Sequence, residues 1–318
     1  MDPAAPAVEM EALDAWRHRP PLLAAPDLAP WRAGNALPGV WSFESARPGP
    51  HAAILALTHG NEIAGAVLLD RWLRAGLRPL RGRLSLAFAN LDAFSRFDPA
   101  DPTVARFVEE DLNRLWAPGV LDGPRRSVEL RRARALRPLL DSVDLLLDLH
   151  SMFWPGDPLL VSGGAEPALD LALRLGEPAL VVSDPGHAEG TRLIDHAPLA
   201  ARGGAVLLEA GWHWEEATVA RMDRVARRFL ALAGVLPAPV PPPAAPPVLA
   251  RVTHCLVPRG PRFRFARPFR SGEVVAAGTL LATEDEVQHR APHPRTLLVM
   301  PNLLPQPGQT ALRLALPG

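Results

Sequence analysis

Residues 55–73 read LALTHGNEIAGAVLLDRWL. The first of them complete a short apolar run over 52–57, the pattern of a strand buried on both faces. From 62 to 76 the residues Ile63, Val67, Leu68 and Trp72 recur at helical spacing, and Gly76 supplies a stop. A buried strand followed at once by an amphipathic helix is the repeating unit of an α/β sheet. Between the two stand His59, Asn61 and Glu62, polar residues at a junction whose packing needs none. Polar sites in such sheets gather beyond the strand ends.

The same alternation extends downstream. Residues 83–89 (RLSLAFA) read as a strand, 127–140 as a helix, and 143–149 (VDLLLDL) as a strand ending at His150. Residues 179–182 and 205–208 suit further central strands, and 215–232 read as a helix with Val219, Met222, Val225, Ala226 and Phe229 on one face. The Pro- and Ala-rich segment to about Leu37 reads as a short helix and a lead-in strand anchored by Trp16 and Trp31. This pattern predicts an α/β fold, a mixed and mostly parallel sheet with helices on both faces, over residues 1–236. PAPVPPPAAPP, residues 237–247, reads as a semi-rigid linker. After it, SGEVVAAGTLLAT, RTLLVMPN and QTALRLAL are short strand-like runs punctuated by turns. They predict a small all-β domain over 248–318.

Composition removes several functions. The chain has 318 residues, 48% hydrophobic and 21% charged, an ordinary globular balance. Its 34 basic and 34 acidic residues cancel to a formal charge of +0, so no global field recruits nucleic acid or an acidic membrane. Arg125, Arg126, Arg131, Arg132 and Arg134 read as the solvated face of the helix over 127–140. All basic residues are arginine and there is no tyrosine, which excludes a lysine Schiff base and a tyrosine general acid. Cys255 is the single cysteine, which excludes an intrachain disulfide and a thiolate metal cluster. No basic-then-apolar leader is visible, and no apolar run approaches ~20 residues. The expectation is a soluble cytoplasmic protein.

Zn²⁺ favours nitrogen and oxygen donors, and a catalytic zinc takes three protein ligands. His59 and Glu62 offer two, although an isolated H-x-x-E is a weak motif. DLLLDLHS offers a third, His150, with Asp148 two residues earlier on the same strand face, able to orient the imidazole. In RFVEEDLNRLW, Asn113 and Arg114 form a polar pair suited to gripping a carboxylate, while Arg106 taken alone reads as a surface arginine. In AVLLEAGWHWEE, Glu209 ends an apolar strand, where burial would raise its pKa toward that of a general base.

HGNE (59–62), DLNR (111–114), DLHS (148–151) and LLEAG (207–211) occur in this order. Together they resemble the succinylglutamate desuccinylase and aspartoacylase family of zinc-carboxypeptidase-like hydrolases, whose small C-terminal domain the linker and β region also match. The resemblance implies one zinc ion per chain on His59, Glu62 and His150. It implies Glu209 as the glutamate that activates water and passes its proton to the leaving amine. Asn113 and Arg114 would bind the substrate carboxylate, and Arg106 would polarise the scissile carbonyl. The implied activity is deacylation of an N-acyl amino acid by a metal-activated water. Members that cleave acetylaspartate use a pocket tyrosine, which this chain lacks, so the acyl group is open.

The loop over 184–204 is expected to line the pocket, with Arg192, His196 and Arg202 as candidate readers of a second anion; His289 and His293 are either further candidates for that role or exposed loop histidines. A metallocarboxypeptidase acting on peptides would use the same ligands and anchor, and a non-catalytic metal-binding protein would need no Glu209. A closed pocket capped by the β domain separates acyl amino acids from peptides. The partner is a small N-acyl amino acid, and the oligomeric state stays open, a homo-oligomer included.

Overall fold

The computed structural model describes residues 13, 15–16, 18–154, 156–186, 189–202, 204–237, 243 and 245–318. The expected linker over 237–247 therefore falls largely outside the described residues. The N-terminal two thirds contains strands β1 (Val40–Glu44), β2 (His51–Ala56), β3 (Arg83–Phe88), β4 (Leu145–Met152), β5 (Leu159–Ser162), β6 (Leu180–Ser183) and β7 (Ala205–Trp212). The C-terminal part adds β8 (Val248–Leu256), β9 (Arg264–Phe265), β10 (Val274–Val275), β11 (Leu280–Glu284), β12 (Val287–Arg290), β13 (Thr296–Val299) and β14 (Leu312–Pro317).

The main sheet runs β1-β3-β2-β4-β7-β5-β6-β8-β14-β13-β10. Strands β3, β2, β4 and β7 are mutually parallel, as are β5, β6 and β8, while β1/β3 and β5/β7 are antiparallel. The α/β reading holds. The C-terminal residues are all-β as expected, and β8 pairs with β6, so their strands extend the main sheet. β12, β11 and β9 make a separate three-stranded sheet.

Alternate residues of each central strand enter opposite cores. Ala52, Ile54 and Ala56 of β2 pack with Leu68, Leu69 and Trp72 of the helix Ile63–Arg74 and with Val225 and Phe229 of the helix Glu216–Leu232. Ala53 and Leu55 pack with Leu130, Leu136 and Leu140 of the helix Val128–Ser142 on the other face. Ile54, Leu55 and Leu68 are at most 2% exposed, and each such side chain contributes about 1.5–3 kcal/mol on burial. The local signals hold too. Gly76 has φ +69° just after the helix Ile63–Arg74, and Ser127 caps the helix Val128–Ser142 by accepting from Leu130 N–H at 2.9 Å.

Two expectations need correction. β4 and β7 run past His150 and Glu209 to Met152 and Trp212, because the apolar environment continues through Met152 and Trp212 and keeps both strands buried. Those two residues therefore lie inside strands, not at their ends. In the arginine cluster, Arg125, Arg126 and Arg131 are exposed, but Arg132 donates to the carbonyls of Phe88 and Ala89, and Arg134 to those of Leu121 and Gly123. These two satisfy backbone carbonyls of neighbouring segments and are half-buried. Among the described residues no helix is long and apolar enough to cross a membrane.

Candidate metal and catalytic site

The site begins where β2 stops. Leu57, fully buried, adopts φ +60°, a conformation a leucine takes only when its surroundings enforce it. The turn carries Thr58 and His59 out of the strand line. Gly60 then passes so close to the backbone of 93–105 that a Cβ would meet Phe94 N at 2.4 Å and Ala105 O at 2.5 Å. The glycine of HGNE is thus a packing requirement. Glu62 occupies the N-cap of the helix Ile63–Arg74, yet its side chain makes no capping bond. Its carboxylate turns toward the histidines instead.

There, Glu62 Oε1 lies 2.7 Å from His59 Nδ1, and Oε2 lies 3.2 Å from His150 Nδ1 and accepts from Ser151 N–H at 2.8 Å. Ligand atoms of His59, Glu62 and His150 all fall within 4.8 Å of one another, and all three residues are buried. The far nitrogens are held by carboxylates. His150 Nε2 meets Asp148 Oδ2 at 2.9 Å, and Thr58 Oγ1 donates to Asp148 Oδ1. His59 Nε2 meets Asp111 Oδ1 at 3.0 Å. The carboxylate at each Nε2 favours the tautomer whose Nδ1 is the ligand atom, while Arg106 Nη2, a donor only, also lies 3.0 Å from His59 Nε2. Sequence reasoning anticipated Asp148 but gave Asp111 no role, because the loop that brings it 52 positions back to His59 has no periodic signature.

The electrostatics favour a cation at that point. Burial opposes ionisation of Glu62, but His150 and His59 hold its carboxyl well below the usual range. Burial likewise opposes a charge on His150, yet Asp148 and Glu62 raise its pKa well above that of a free imidazole. Asp111 is also held low against burial, by His59 and Arg106. Two imidazoles and a carboxylate, each backed by a further hydrogen bond, match the donor chemistry of a divalent metal such as zinc.

Glu209 sits beside this set. It is the register partner of His150 across β4 and β7. Burial, with the charge of Glu62 adding, pushes its carboxyl up to about 8, and its Oε2 is buried without a hydrogen-bond partner among the described residues. Arg106 reaches the same place from the loop after residue 105: Nη2 donates to Asp111 Oδ2 at 3.1 Å and Nη1 lies 3.8 Å from Glu62 Oε1. Its surface reading in isolation is corrected, since Asp111 and Glu62 draw its guanidinium to the ligand set.

Asn113 and Arg114 lie on a single 3-10 turn, Leu112–Arg114, whose first residues are fixed by Asp111 accepting from Asn113 N–H at 2.8 Å. Asn113 Oδ1 accepts from Leu193 N–H, which leaves its amide NH₂ as the available donor. Arg114 Nε lies 3.5 Å from Glu189 Oε2. The loop that carries this pair is organised by Glu129, fully buried, which accepts from the N–H groups of Val108, Glu109 and Glu110 and from Asn90 Nδ2.

All seven predicted site residues, His59, Glu62, Arg106, Asn113, Arg114, His150 and Glu209, line one cavity of about 490 Å³. Ser271, Asn302 and Arg313 from the C-terminal β region line it as well. Of the loop over 184–204, Arg192 lines the cavity, bonded to Asp184 and Asp195, but His196 and Arg202 do not. His196 Nε2 pairs with Asp141 and its ring packs edge-on to Trp116, while Arg202 donates to the carbonyls of Leu140, Asp141 and Val143. His289 packs against Phe263 and His293 contacts Thr253 Oγ1, both outside the cavity. His213 was not anticipated. It lines the cavity, its Nδ1 lies 2.7 Å from Ser151 Oγ, and burial pushes its pKa down to about 4, so it is neutral at physiological pH.

Residues 48–153 match the family model of the succinylglutamate desuccinylase/aspartoacylase catalytic domain. That stretch holds HGNE, DLNR and DLHS, so the resemblance these motifs carry is shown there; LLEAG lies beyond it. Among curated proteins, the chain is 36% identical over 121 residues to a probable aspartoacylase of Parasynechococcus marenigrum, covering 36% of this chain and 38% of that protein. It is 34% identical over 110 residues to a human N-acyl-aromatic-L-amino acid amidohydrolase (carboxylate-forming), covering 31% and 32%. The match thus spans about a third of the length of these relatives. The structure of succinylglutamate desuccinylase from Vibrio cholerae superposes with a TM-score of 0.68 at 22% identity, over 88% of this chain and 86% of that one, which establishes a shared fold.

Proposed function

We propose that this chain is a zinc-dependent amidohydrolase that deacylates an N-acyl amino acid. One observation carries the reading: the ligand set, the buried Glu209 and the Asn113–Arg114 pair face a single cavity whose wall is completed by residues of the C-terminal β region. A cavity of about 490 Å³ is the size of a small-molecule site. An open groove would suit peptides instead, and the wall formed by Ser271, Asn302 and Arg313 favours the smaller substrate.

His59, Glu62 and His150 would hold the metal. Bound there, zinc supplies Lewis acidity and lowers the pKa of a water to about 7. The rest is done by the chain. Asp111 and Asp148 fix the two imidazoles in the tautomer that presents Nδ1. Asn113 and Arg114 grip the substrate carboxylate and set the amide in register. Glu209 takes the proton of the attacking water and returns it to the leaving nitrogen. The elevated carboxyl suits both halves of that exchange, and a neighbouring cation would draw its pKa down toward neutrality. Arg106 donates to the carbonyl oxygen as negative charge builds on it. Residues 248–318 act as a cap that keeps bulk water out.

The test combines metal analysis with a screen of N-acetyl-, N-succinyl- and longer N-acyl amino acids for released amine. Near-stoichiometric zinc and turnover of at least one such compound are expected. Cleavage confined to C-terminal residues of peptides would shift the reading to a metallocarboxypeptidase. Protein that cannot take up zinc would overturn it.

A further inference from the structure

On the reading above, we infer that the substrate carries a single carboxylate and an uncharged apolar body lodged against Phe107, Phe153 and Trp154.

The charge lining the cavity sets the first half of this. Four arginines and five carboxylates line it among the described residues. Arg114, with Asn113, meets one substrate carboxylate. The cations that could greet a second one are already engaged. Arg192, 3% exposed, donates through Nε and Nη2 to both oxygens of Asp195, through Nη1 to Asp184 Oδ2 at 3.0 Å and through Nη2 to Asp184 O at 2.8 Å. Arg313 Nε donates to the same Asp184 Oδ2 at 2.9 Å. Arg114 Nε, 3.5 Å from Glu189 Oε2 and without a hydrogen-bond partner among the described residues, is the donor left for the first carboxylate, and Glu189 Oε1 accepts from Thr310 Oγ1 at 2.9 Å. A second substrate carboxylate would have to break buried, charge-assisted bonds or go unpaired, and either is costly.

The shape of the wall sets the second half. Phe153 and Trp154 follow His150 by three and four residues, and their rings meet edge-to-face at 4.9 Å. Phe107 lies one residue beyond Arg106, lines the same cavity and is 36% exposed. The apolar surface also continues outward. A second cavity of about 170 Å³ shares Thr103, Phe153, Trp154 and Asn302 with the first and adds Leu304 and Gln306. A bulky apolar group anchored beside the ligand set would extend along this wall.

The experiment uses the zinc-loaded full chain. Hydrolysis of N-acetyl-phenylalanine and N-acetyl-leucine is compared with that of N-acetyl-aspartate and N-succinyl-glutamate, and binding of free phenylalanine and aspartate is measured by calorimetry. The apolar compounds should show kcat/KM higher by roughly tenfold or more, and phenylalanine should bind more tightly than aspartate. Phe107→Ala should raise KM for N-acetyl-phenylalanine by roughly tenfold with kcat little changed, as loss of one apolar wall predicts. Trp154→Ala is the second variant, read in the same way. Faster hydrolysis of the dicarboxylates, tighter binding of aspartate, no binding of phenylalanine, or an unmoved KM in both variants overturns the inference. If phenylalanine binds more tightly yet none of the four compounds is hydrolysed, the ligand class stands and the amidohydrolase reading is what fails.

Discussion

His150 on β4 and Glu209 on β7 are register partners on adjacent parallel strands. One residue is a candidate metal ligand and the other a buried carboxylate with an oxygen that has no partner among the described residues. Because both stand inside rigid strands and not on loops, their separation is fixed by the sheet. Glu209→Gln keeps the shape and removes the proton acceptor. It should lower kcat by about 10²–10⁴-fold while leaving zinc content unchanged, which parallel kinetics and metal analysis would check. Full activity in that variant would remove Glu209 from the mechanism.

Asp111 and Asp148 each hold one imidazole by its Nε2. Asp148→Asn and Asp111→Asn should each weaken zinc affinity by about 10–100-fold, measured by competition with a chelator. The Asp111 variant carries a second signature, because Arg106 donates to the same carboxylate. It should also lower kcat, so zinc-saturated Asp111→Asn stays slower than zinc-saturated Asp148→Asn.

Arg114 lines the cavity without touching the ligand set. Arg114→Ala should leave zinc bound and raise KM, since a carboxylate clamp contributes equally to ground state and transition state. Steady-state kinetics with metal analysis would decide. A fall in kcat with unchanged KM would assign Arg114 to the chemical step instead.

The α/β half of the fold was legible because its signals are local. The apolar run over 52–57, the helical spacing after it and Gly76 each sit within one element and need no partner to be read. Asp148 was legible for the same reason, being two residues from His150 on one strand. What escaped was long-range. Asp111 meets His59 across 52 positions, Glu129 meets three amides about 20 positions away, and Arg313 meets Asp184 across 129. The junction of β8 with β6 escaped because the proline-rich run before β8 marks a break in periodicity and says nothing of which edge the next strand joins. His196 and Arg202 show the opposite failure: polar residues in a pocket-side loop whose bonds point into the scaffold.

Glu129 offers a test of the scaffold behind the site. Its carboxylate collects the amides of Val108, Glu109 and Glu110, the segment between Arg106 and Asp111. Glu129→Ala would leave those donors unmatched, at about 1–3 kcal/mol each where water cannot replace the carboxylate. The variant should unfold at a lower denaturant concentration. In the folded fraction kcat/KM should fall although residue 129 touches no ligand, because the loop that seats Arg106 and Asp111 would lose its hold.

His51 provides a pH dependence remote from the ligand set. It opens β2, with Nε2 2.8 Å from Ser85 Oγ, a hydroxyl that also meets Ser42 Oγ at 2.6 Å. Burial lowers its pKa, and the charge of Arg83 on β3 adds to that, against smaller opposing contributions from Ser142, Asp144 and Glu44. The sign follows from linkage. With the folded pKa below the unfolded value near 6.5, the unfolded chain takes up the proton first as pH falls. Stability supplied by neutral His51 is therefore complete above about pH 6.5 and is lost as pH falls from there through the folded pKa, at no more than about 1.4 kcal/mol per pH unit for one group. His51→Gln cannot titrate. Its urea midpoint should lie below that of the parent at pH 7.5, through loss of the native contacts, and the gap should narrow at pH 5.5. The chain carries ten histidines, so the difference between parent and variant, not either curve alone, isolates the one proton. A gap that widens toward acid pH would mean that His51 is stabilised in its charged form, contrary to its buried position between Ser85 and Ser142.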